Sequence, residues 1–138
     1  MKLTVTYDEL ARFATARAHT KVEIQPVNES TICFKAPIGA LLDLVKVKLV
    51  VEVIGMTGST VSLRYKSALG VDKLIGLLLK FLRKRDPELA NAMVFKPGNI
   101  VWLYLDRVER MKDLLKYCGL DSLKFLPLQI ELQAHLNS

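Results

Sequence analysis

The longest regular pattern in the chain is an alternation of apolar and polar residues between Leu44 and Ile54. The apolar members, at every second position, are Val45, Val47, Leu49, Val51 and Val53. Because successive side chains of a β-strand point to opposite faces, this period predicts a long strand with one apolar face. A strand of this length would span roughly 35 Å, and a ribbon that long coils rather than lying flat.

Other alternating segments extend the predicted sheet. Residues 60–66 follow a glycine-containing loop, so they are expected to pair with the long strand as an antiparallel hairpin. Residues 21–36 predict a second hairpin, and residues 2–6 indicate a short first strand. Residues 100–105 are apolar on both faces, as expected of an interior strand, and residues 126–133 alternate again as the last strand.

Helical periodicity appears in two main places. A capping-box sequence at Thr6 precedes an amphipathic helix predicted from Tyr7 to His19. Residues 70–85 predict a second helix that is apolar nearly all round, so it must be covered on most sides. A turn of irregular helix is predicted over 86–92 and a short helix near 108–117.

These elements predict an α+β fold. We expect a curved antiparallel sheet that wraps the central apolar helix, with the N-terminal helix packed alongside. A chain of 138 residues is the size of one ordinary domain, so residues 1–138 are taken as a single domain.

The chain is basic, with 20 Lys and Arg against 14 Asp and Glu and a net charge of +6. This balance favours an anionic partner, such as an acidic lipid surface or nucleic acid. If the long hairpin pairs as predicted, four cations share one face of the sheet and form a candidate anion-contact set: Lys46, Lys48, Arg64 and Lys66. The alternative to an anion-binding face is a solvated face that its lysines keep soluble. The absence of aromatic side chains that could stack on bases is expected for this face and favours that alternative.

Catalytic chemistry is hard to find in this sequence. His19 and His135 lie near a helix end and the C-terminus, and no serine stands in a nucleophile-elbow motif. Glycine-rich phosphate loops are absent, and Cys33 and Cys118 have no metal-ligand spacing. The sequence therefore predicts a protein that is not an enzyme, with no cofactor, no metal and two reduced thiols.

Targeting signals are equally absent. Asp8, Glu9 and Arg12 interrupt the region where an export signal would need an apolar stretch. The longest apolar run, Leu74 to Leu79, is much shorter than the ~18 residues that a membrane span needs. A cytoplasmic location is the resulting expectation.

The stretch from about Pro37 to Ala134 resembles the small lipid-binding modules of the tubular lipid-binding (TULIP) superfamily and uncharacterised bacterial proteins similar to them. The segments that carry the resemblance are LVKVKLVVEVIG, TVSLRYK, VDKLIGLLLKFL, GNIVWLYLDRVERMKDLL and LPLQIELQ. The resemblance implies that a sheet wraps a helix and that an apolar ligand lies between them. The implied ligand contacts are Leu74, Leu78 and Phe81 on the helix and Val47, Leu49, Val51 and Leu63 on the sheet.

Two hypotheses follow for the function. The first is a non-enzymatic binding protein that holds an apolar or lipid-like small molecule in its interior and contacts an anionic membrane surface through the basic face. The second is an interaction module with a filled core, whose partner is a protein, a nucleic acid or a second copy of the chain.

Overall fold

A computed structural model of the protein describes residues 1–18, 21–37, 46–67, 79–80, 82–84 and 86–137. The strands in this part of the chain form two antiparallel sheets, one of three strands and one of six. The mostly-β, α+β class and the antiparallel pairing are therefore confirmed. The single curved sheet expected from the sequence is not found, because the first and last strands pair with each other in a separate sheet.

The strands are β1 (Lys2–Thr6), β2 (Glu23–Asn28), β3 (Thr31–Pro37), β4 (Lys46–Thr57), β5 (Thr60–Ser67), β6 (Met93–Lys96), β7 (Ile100–Tyr104), β8 (Cys118–Phe125) and β9 (Gln129–Leu136). The helices are α1 (Tyr7–Ala18), α2 (Pro87–Ala92) and α3 (Glu109–Leu115), with a 3₁₀ turn at Leu105–Arg107. The small sheet has the order β1-β9-β8, and the large sheet has the order β2-β3-β4-β5-β7-β6.

Both predicted hairpins are present. In the long hairpin, Val51 lies opposite Tyr65 and Thr57 lies opposite Thr60 across a tight turn. Gly58 has φ +62° in that turn, a conformation that favours glycine because it has no Cβ. A register shift between Val53 and Gly55 marks a β-bulge, which increases the local twist of this long ribbon.

Several strand predictions need correction. The strands predicted from the sequence do not include β6 and β8, and the last strand begins later than predicted, at Gln129. Leu128, predicted within that strand, lies in the β8–β9 turn with 83% of its surface exposed. The segment 86–92 contains a regular helix, α2, whose start is capped by Asp86 Oδ1 accepting a hydrogen bond from the Leu89 amide at 3.2 Å.

The predicted central helix is described only in part. Leu79, Lys80 and residues 82–84 are helical, and the rest of 70–85 lies outside the described residues. The arrangement of a sheet wrapped around this helix therefore stays a prediction. Within the parts that the structure describes, no helix has the length and apolar character to span a membrane.

The N-terminal helix begins at the predicted capping box. The Glu9 amide donates a hydrogen bond to Thr6 Oγ1 at 3.1 Å, while the Thr6 hydroxyl and amide donate to Glu9 Oε1 at 2.9 and 3.3 Å. Because these donors stabilise the ionised carboxylate, they lower the pKa of Glu9. The amphipathic helix predicted from this position is confirmed, and it ends at Ala18.

The main core lies between the two sheets, with α1 packed against them. Its buried residues are Tyr7, Ile24, Ile32, Phe125 and Ile130, which come from α1 and from both sheets. The Tyr7 hydroxyl donates a hydrogen bond to the Leu126 carbonyl at 2.7 Å, and burial raises the pKa of Tyr7. Because this core contains residues from both sheets, each sheet buries its apolar face against the other.

Replacing Phe125 by Ala should lower the free energy of unfolding by about 3–5 kcal/mol, because it leaves a cavity where the two sheets meet. Urea denaturation followed by circular dichroism measures this change. Leu128→Ala is the matched control, since this exposed turn residue should change stability by less than about 0.5 kcal/mol. Equal losses for the two variants would contradict the position of the core.

Candidate functional site

The two faces of the large sheet differ in chemistry, and the cations of β4 and β5 lie on one of them. Because directly paired residues of antiparallel strands point to the same face, the register assigns each side chain to one side. The row through Ile32, Val51 and Tyr65 belongs to the apolar inner face, which covers the core. The neighbouring row through Val50 and Lys66 belongs to the outer face, although Cys33 at its other end, opposite Val50, is buried.

Three of the predicted apolar-ligand residues lie together on the inner face. Val51, Leu49 and Leu63 are all partly buried, and Val51 packs against the main core. Val47 lies opposite Ala36 in the β3–β4 register, and nothing further is described of its side chain. The three helix residues of the predicted site, Leu74, Leu78 and Phe81, lie outside the described residues.

The predicted anion-contact residues gather on the outer face. Lys48, Arg64 and Lys66 are exposed there, and Arg64 Nη1 lies 3.2 Å from Glu52 Oε1. Lys46 lies opposite Pro37 in the register, and its side chain is not described. Lys35, which is not among the predicted anion-contact residues, lies directly opposite Lys48.

Aromatic side chains also lie on this face, which corrects the expectation that it has none. Trp102 lies opposite Ser62 and Tyr104 lies opposite Thr60, because β7 pairs with β5. The two rings are in edge contact, with centroids 6.4 Å apart and an interplanar angle of 67°. The prediction of β7 as a strand with both faces in the interior is therefore wrong for its outer side, where Trp102 is 38% exposed.

Each of these rings is accompanied by a cation. Lys96 Nζ lies 4.7 Å from the Trp102 ring centroid, and the Arg107 guanidinium carbon lies 4.3 Å from the Tyr104 centroid. Cation–π contacts of this kind are worth about 0.5–1 kcal/mol each at exposed sites. We call the combined surface the basic-aromatic face and define it by Lys48, Arg64, Lys66, Lys96, Trp102, Tyr104 and Arg107.

The electrostatics of the basic-aromatic face favour an anion. Among the described residues, Lys48, Lys66 and Lys96 form no ion pair. Lys35 and Lys48 face each other directly across two strands, and like charges in that arrangement repel. Glu23 lies opposite Lys35 on β2 and offsets part of this repulsion, and Glu52 pairs with Arg64. A bound anion would relieve what remains.

Part of this surface has a signal in the sequence. The turn formers Gly98 and Asn99 follow the short segment Met93–Lys96, which is a hairpin pattern. Both residues have positive φ in the structure, and the hairpin places Lys96 beside Trp102. The pairing of β7 with β5 has no comparable signal, because 32 residues separate Ser67 from Ile100 and include the predicted helix. The position of the aromatic pair beside Arg64 could therefore not be read from the chain.

A second candidate site is a cleft of about 550 Å³ where the β4–β5 turn approaches α3 and the β8–β9 hairpin. His135 lies at this cleft and is exposed, as the sequence predicts, but its Nδ1 lies 2.6 Å from Asp121 Oδ1. Both cysteines are free and buried, and Cys118 lines the cleft. The described residues contain no cluster of side chains suited to a metal ion.

No protein-family model, curated protein or solved structure matches the chain. The resemblance to TULIP modules therefore stays a prediction, and the function is inferred from the geometry of the described surfaces.

Replacing Lys48 by Gln should raise the free energy of unfolding at low salt by about 0.2–1 kcal/mol, because it removes the repulsion from Lys35. The gain should largely disappear near 1 M salt, where the Debye length is only about 3 Å. Urea denaturation at low and high salt measures both values. Lys124→Gln is the control, since Lys124 faces Glu131 and its removal should not stabilise the protein. The same salt-sensitive gain in both variants would contradict the argument.

Proposed function

We propose that the protein is a non-catalytic binding protein whose basic-aromatic face binds single-stranded nucleic acid. The observation that carries the proposal is the position of Trp102 and Tyr104 on β7, with cations on the strands at both sides. Arg64 and Lys66 lie on β5, and Lys96 lies on β6.

The chemistry of this face suits an unpaired strand. Exposed aromatic rings on a sheet can stack on bases, and lysine and arginine side chains around them neutralise phosphates. Trp102 and Tyr104 are two residues apart on one strand, which separates them by roughly 7 Å along the sheet. Two neighbouring unstacked bases can therefore each meet one ring while the backbone passes between β5 and β6.

The geometry favours a nucleic acid over a membrane surface. Trp102 lies in the middle of β7, between two paired strands, and not at a protruding loop. Lys96 lies over its ring, so the indole does not project beyond the surrounding charges. A base can stack on the indole when the flexible Lys96 side chain moves from the ring to a phosphate, whereas a side chain in the middle of a strand cannot reach far into a lipid layer.

The single tryptophan of the chain makes this proposal directly testable, because its fluorescence reports only on the basic-aromatic face. Titration with a 20-nucleotide poly(dT) strand should quench Trp102 emission in a saturable manner. Trp102→Ala should weaken binding by about 5-fold to 150-fold, as expected for the loss of ~1–3 kcal/mol of base stacking. Anisotropy of a labelled strand measures the affinity of this variant, and Trp102→Phe should restore part of it.

Salt and charge variants provide the controls. Lys96→Gln should make the slope of log K against log salt shallower by about 0.7, the value for one phosphate contact on a single strand. Lys124→Gln removes an equal charge from β8 in the other sheet and should leave the slope unchanged. The proposal fails if poly(dT) leaves the Trp102 emission unchanged. If vesicles with anionic headgroups shift the emission in that case, the face binds a membrane surface instead.

A second candidate function, an apolar or lipid-like ligand in the interior, is supported by the inner face. Leu49 and Leu63 belong to the apolar face yet remain partly exposed, and Leu79 of the predicted helix is also only partly buried. In this proposal the curved sheet wraps the helix over 70–85, and the ligand lies between that helix and β4–β5. A ligand that covers this partly exposed apolar face would bind more tightly by about 0.8 kcal/mol for each of its methylene groups that becomes buried.

This second proposal predicts that organic extracts of the purified protein contain a lipid-like molecule. Fatty acids should raise the melting temperature more as the acyl chain lengthens, because each methylene adds buried apolar area. Trp102 emission should stay constant during such a titration, since the indole lies on the outer face. Extracts without lipid, together with an unchanged melting temperature, would exclude this function and leave the first proposal intact.

A further inference from the structure

The first residues of β8 form a sheet edge that borders a cleft. The small sheet has the order β1-β9-β8, so within the described part of the chain β8 pairs with another strand on one side only. Cys118, Gly119 and Leu120 line the cleft of about 550 Å³ beside this edge, together with Gly58 and Ser59 of the β4–β5 turn. The cleft therefore meets the backbone of an edge strand as well as side chains.

The hydrogen bonds of β9 show in which direction the backbone groups of β8 point. In an antiparallel pair, the N–H and C=O of one residue point to the same side of the strand, and those of the next residue point to the other side. Ala134 and Met1 exchange two hydrogen bonds of 2.9 Å, so the backbone groups of Ala134 point toward β1. Leu120 is the partner of Ala134 in the β8–β9 register, so its own N–H and C=O point away from β9.

Cys118 has the same orientation. The Asn137 amide donates a hydrogen bond to the Tyr117 carbonyl at 2.8 Å, so Tyr117 points toward β9 and the next residue, Cys118, points away from it. Cys118 and Leu120 are buried, yet no other backbone group among the described residues bonds to their outward N–H and C=O groups. Since buried backbone groups are almost always paired with protein or water, an extended backbone in the cleft would satisfy all of these groups at once.

The side chains beside this edge define what such a backbone would carry. Cys118 and Leu120 extend from one face of β8, and Leu115 adds a third apolar side chain to the cleft. Gly119 belongs to the other face, where the His135 ring occupies the space above it, since a Cβ at Gly119 would lie 2.5 Å from His135 Cε1. In an added antiparallel strand, the residues opposite Cys118 and Leu120 share their apolar face, and the residue between them lies beside His135. The matching segment therefore has an apolar-polar-apolar sequence.

The charges at the cleft favour an uncharged segment. Two of the ionisable groups there are already neutralised by a neighbour, because Lys116 Nζ lies 3.4 Å from Asp113 Oδ1 and His135 Nδ1 lies 2.6 Å from Asp121 Oδ1. The remaining charged side chains that line the described part of the cleft are one of each sign, Lys112 and Asp106.

A single extended segment reaches this edge more easily than a second copy of the chain does. The edge is recessed, since the β4–β5 turn and α3 also line the cleft. The β8 edge of a second copy is recessed between the same elements, so two such edges cannot come within hydrogen-bond distance unless these elements move. A segment that is one strand wide needs no such movement.

We propose that this cleft binds an extended peptide segment of a partner protein, which adds to the small sheet as a strand beside β8. The peptide backbone pairs with the outward groups of Cys118 and Leu120, and its apolar residues, at every second position, lie on the side of Leu115. The proposal does not depend on nucleic-acid binding, because it uses no residue of the basic-aromatic face.

The probe is the uncharged peptide acetyl-TVTVT-amide, and two-dimensional ¹H–¹⁵N NMR of the full chain is the measurement. Millimolar peptide should shift the amide signals of Cys118 and Leu120 in a saturable manner and slow their hydrogen exchange. In the free protein these two amides should exchange faster than the Gly119 amide, which faces β9. The Trp102 indole signal should not move.

Modified peptides test the backbone pairing without any change to the protein. N-methylation of both valines removes the donors that face β8 and should weaken binding by about 5-fold to 150-fold, as expected for the loss of two hydrogen bonds. N-methylation of the central threonine is the matched control, because its amide points away from β8 and the affinity should change little. Equal losses for the two modified peptides would overturn the proposal, and so would amide signals of Cys118 and Leu120 that TVTVT leaves unchanged.

A pair of protein variants tests the position of the peptide. Ser59→Tyr adds a ring to a residue that lines the cleft and should weaken peptide binding at least 5-fold. Thr57→Tyr adds the same ring to an exposed residue of the same turn that is not part of the lining, so its affinity should equal that of the wild type. Melting temperatures near the wild-type value show that both variants are folded. The same loss of affinity in both folded variants would contradict binding in the cleft.

Discussion

The apolar inner face of the large sheet must be kept from water, and this constraint determines how the rest of the chain is arranged. The long strand β4 carries that face, and its pairing with β3 and β5 extends the apolar row through Ile32 and Tyr65. The small sheet and α1 cover one part of it through Phe125, Ile130 and Tyr7. Because burial of apolar area is the dominant favourable contribution to folding, the two ends of the chain come together over this face.

The same pairing decides the chemistry of the opposite side. Once alternate residues of β4 and β5 face the core, Lys48, Arg64 and Lys66 must face outward, and β7 adds Trp102 to the same surface. The cost of placing cations side by side there is only partly offset by Glu52 and by contacts between cations and rings. A surface that would be more stable with an anion bound, and that also presents aromatic rings, is well suited to a strand with both phosphates and bases.

The cleft at β8 shows a different use of the backbone. Gly119 leaves space over β8, His135 occupies that space, and Asp121 fixes the ring from the same hairpin. Lys112 of α3 and Lys116, which follows the end of that helix, also line the cleft. The two surfaces differ in shape, since the basic-aromatic face is open and the region at β8 is a cleft.

Local patterns in the sequence determined the elements whose apolar faces have a clear period: α1 with its capping box, the two hairpins around β2–β5, and the basic side of β4 and β5. The sequence could not determine which strands separated along the chain become neighbours. The pairing of β1 with β9 and of β5 with β7 is decided by how all apolar faces are buried together, a property of the whole chain and not of any window within it. For that reason Lys48 and Arg64 were identifiable from alternation alone, whereas the aromatic pair beside them and the His135 cleft emerged only in the tertiary structure.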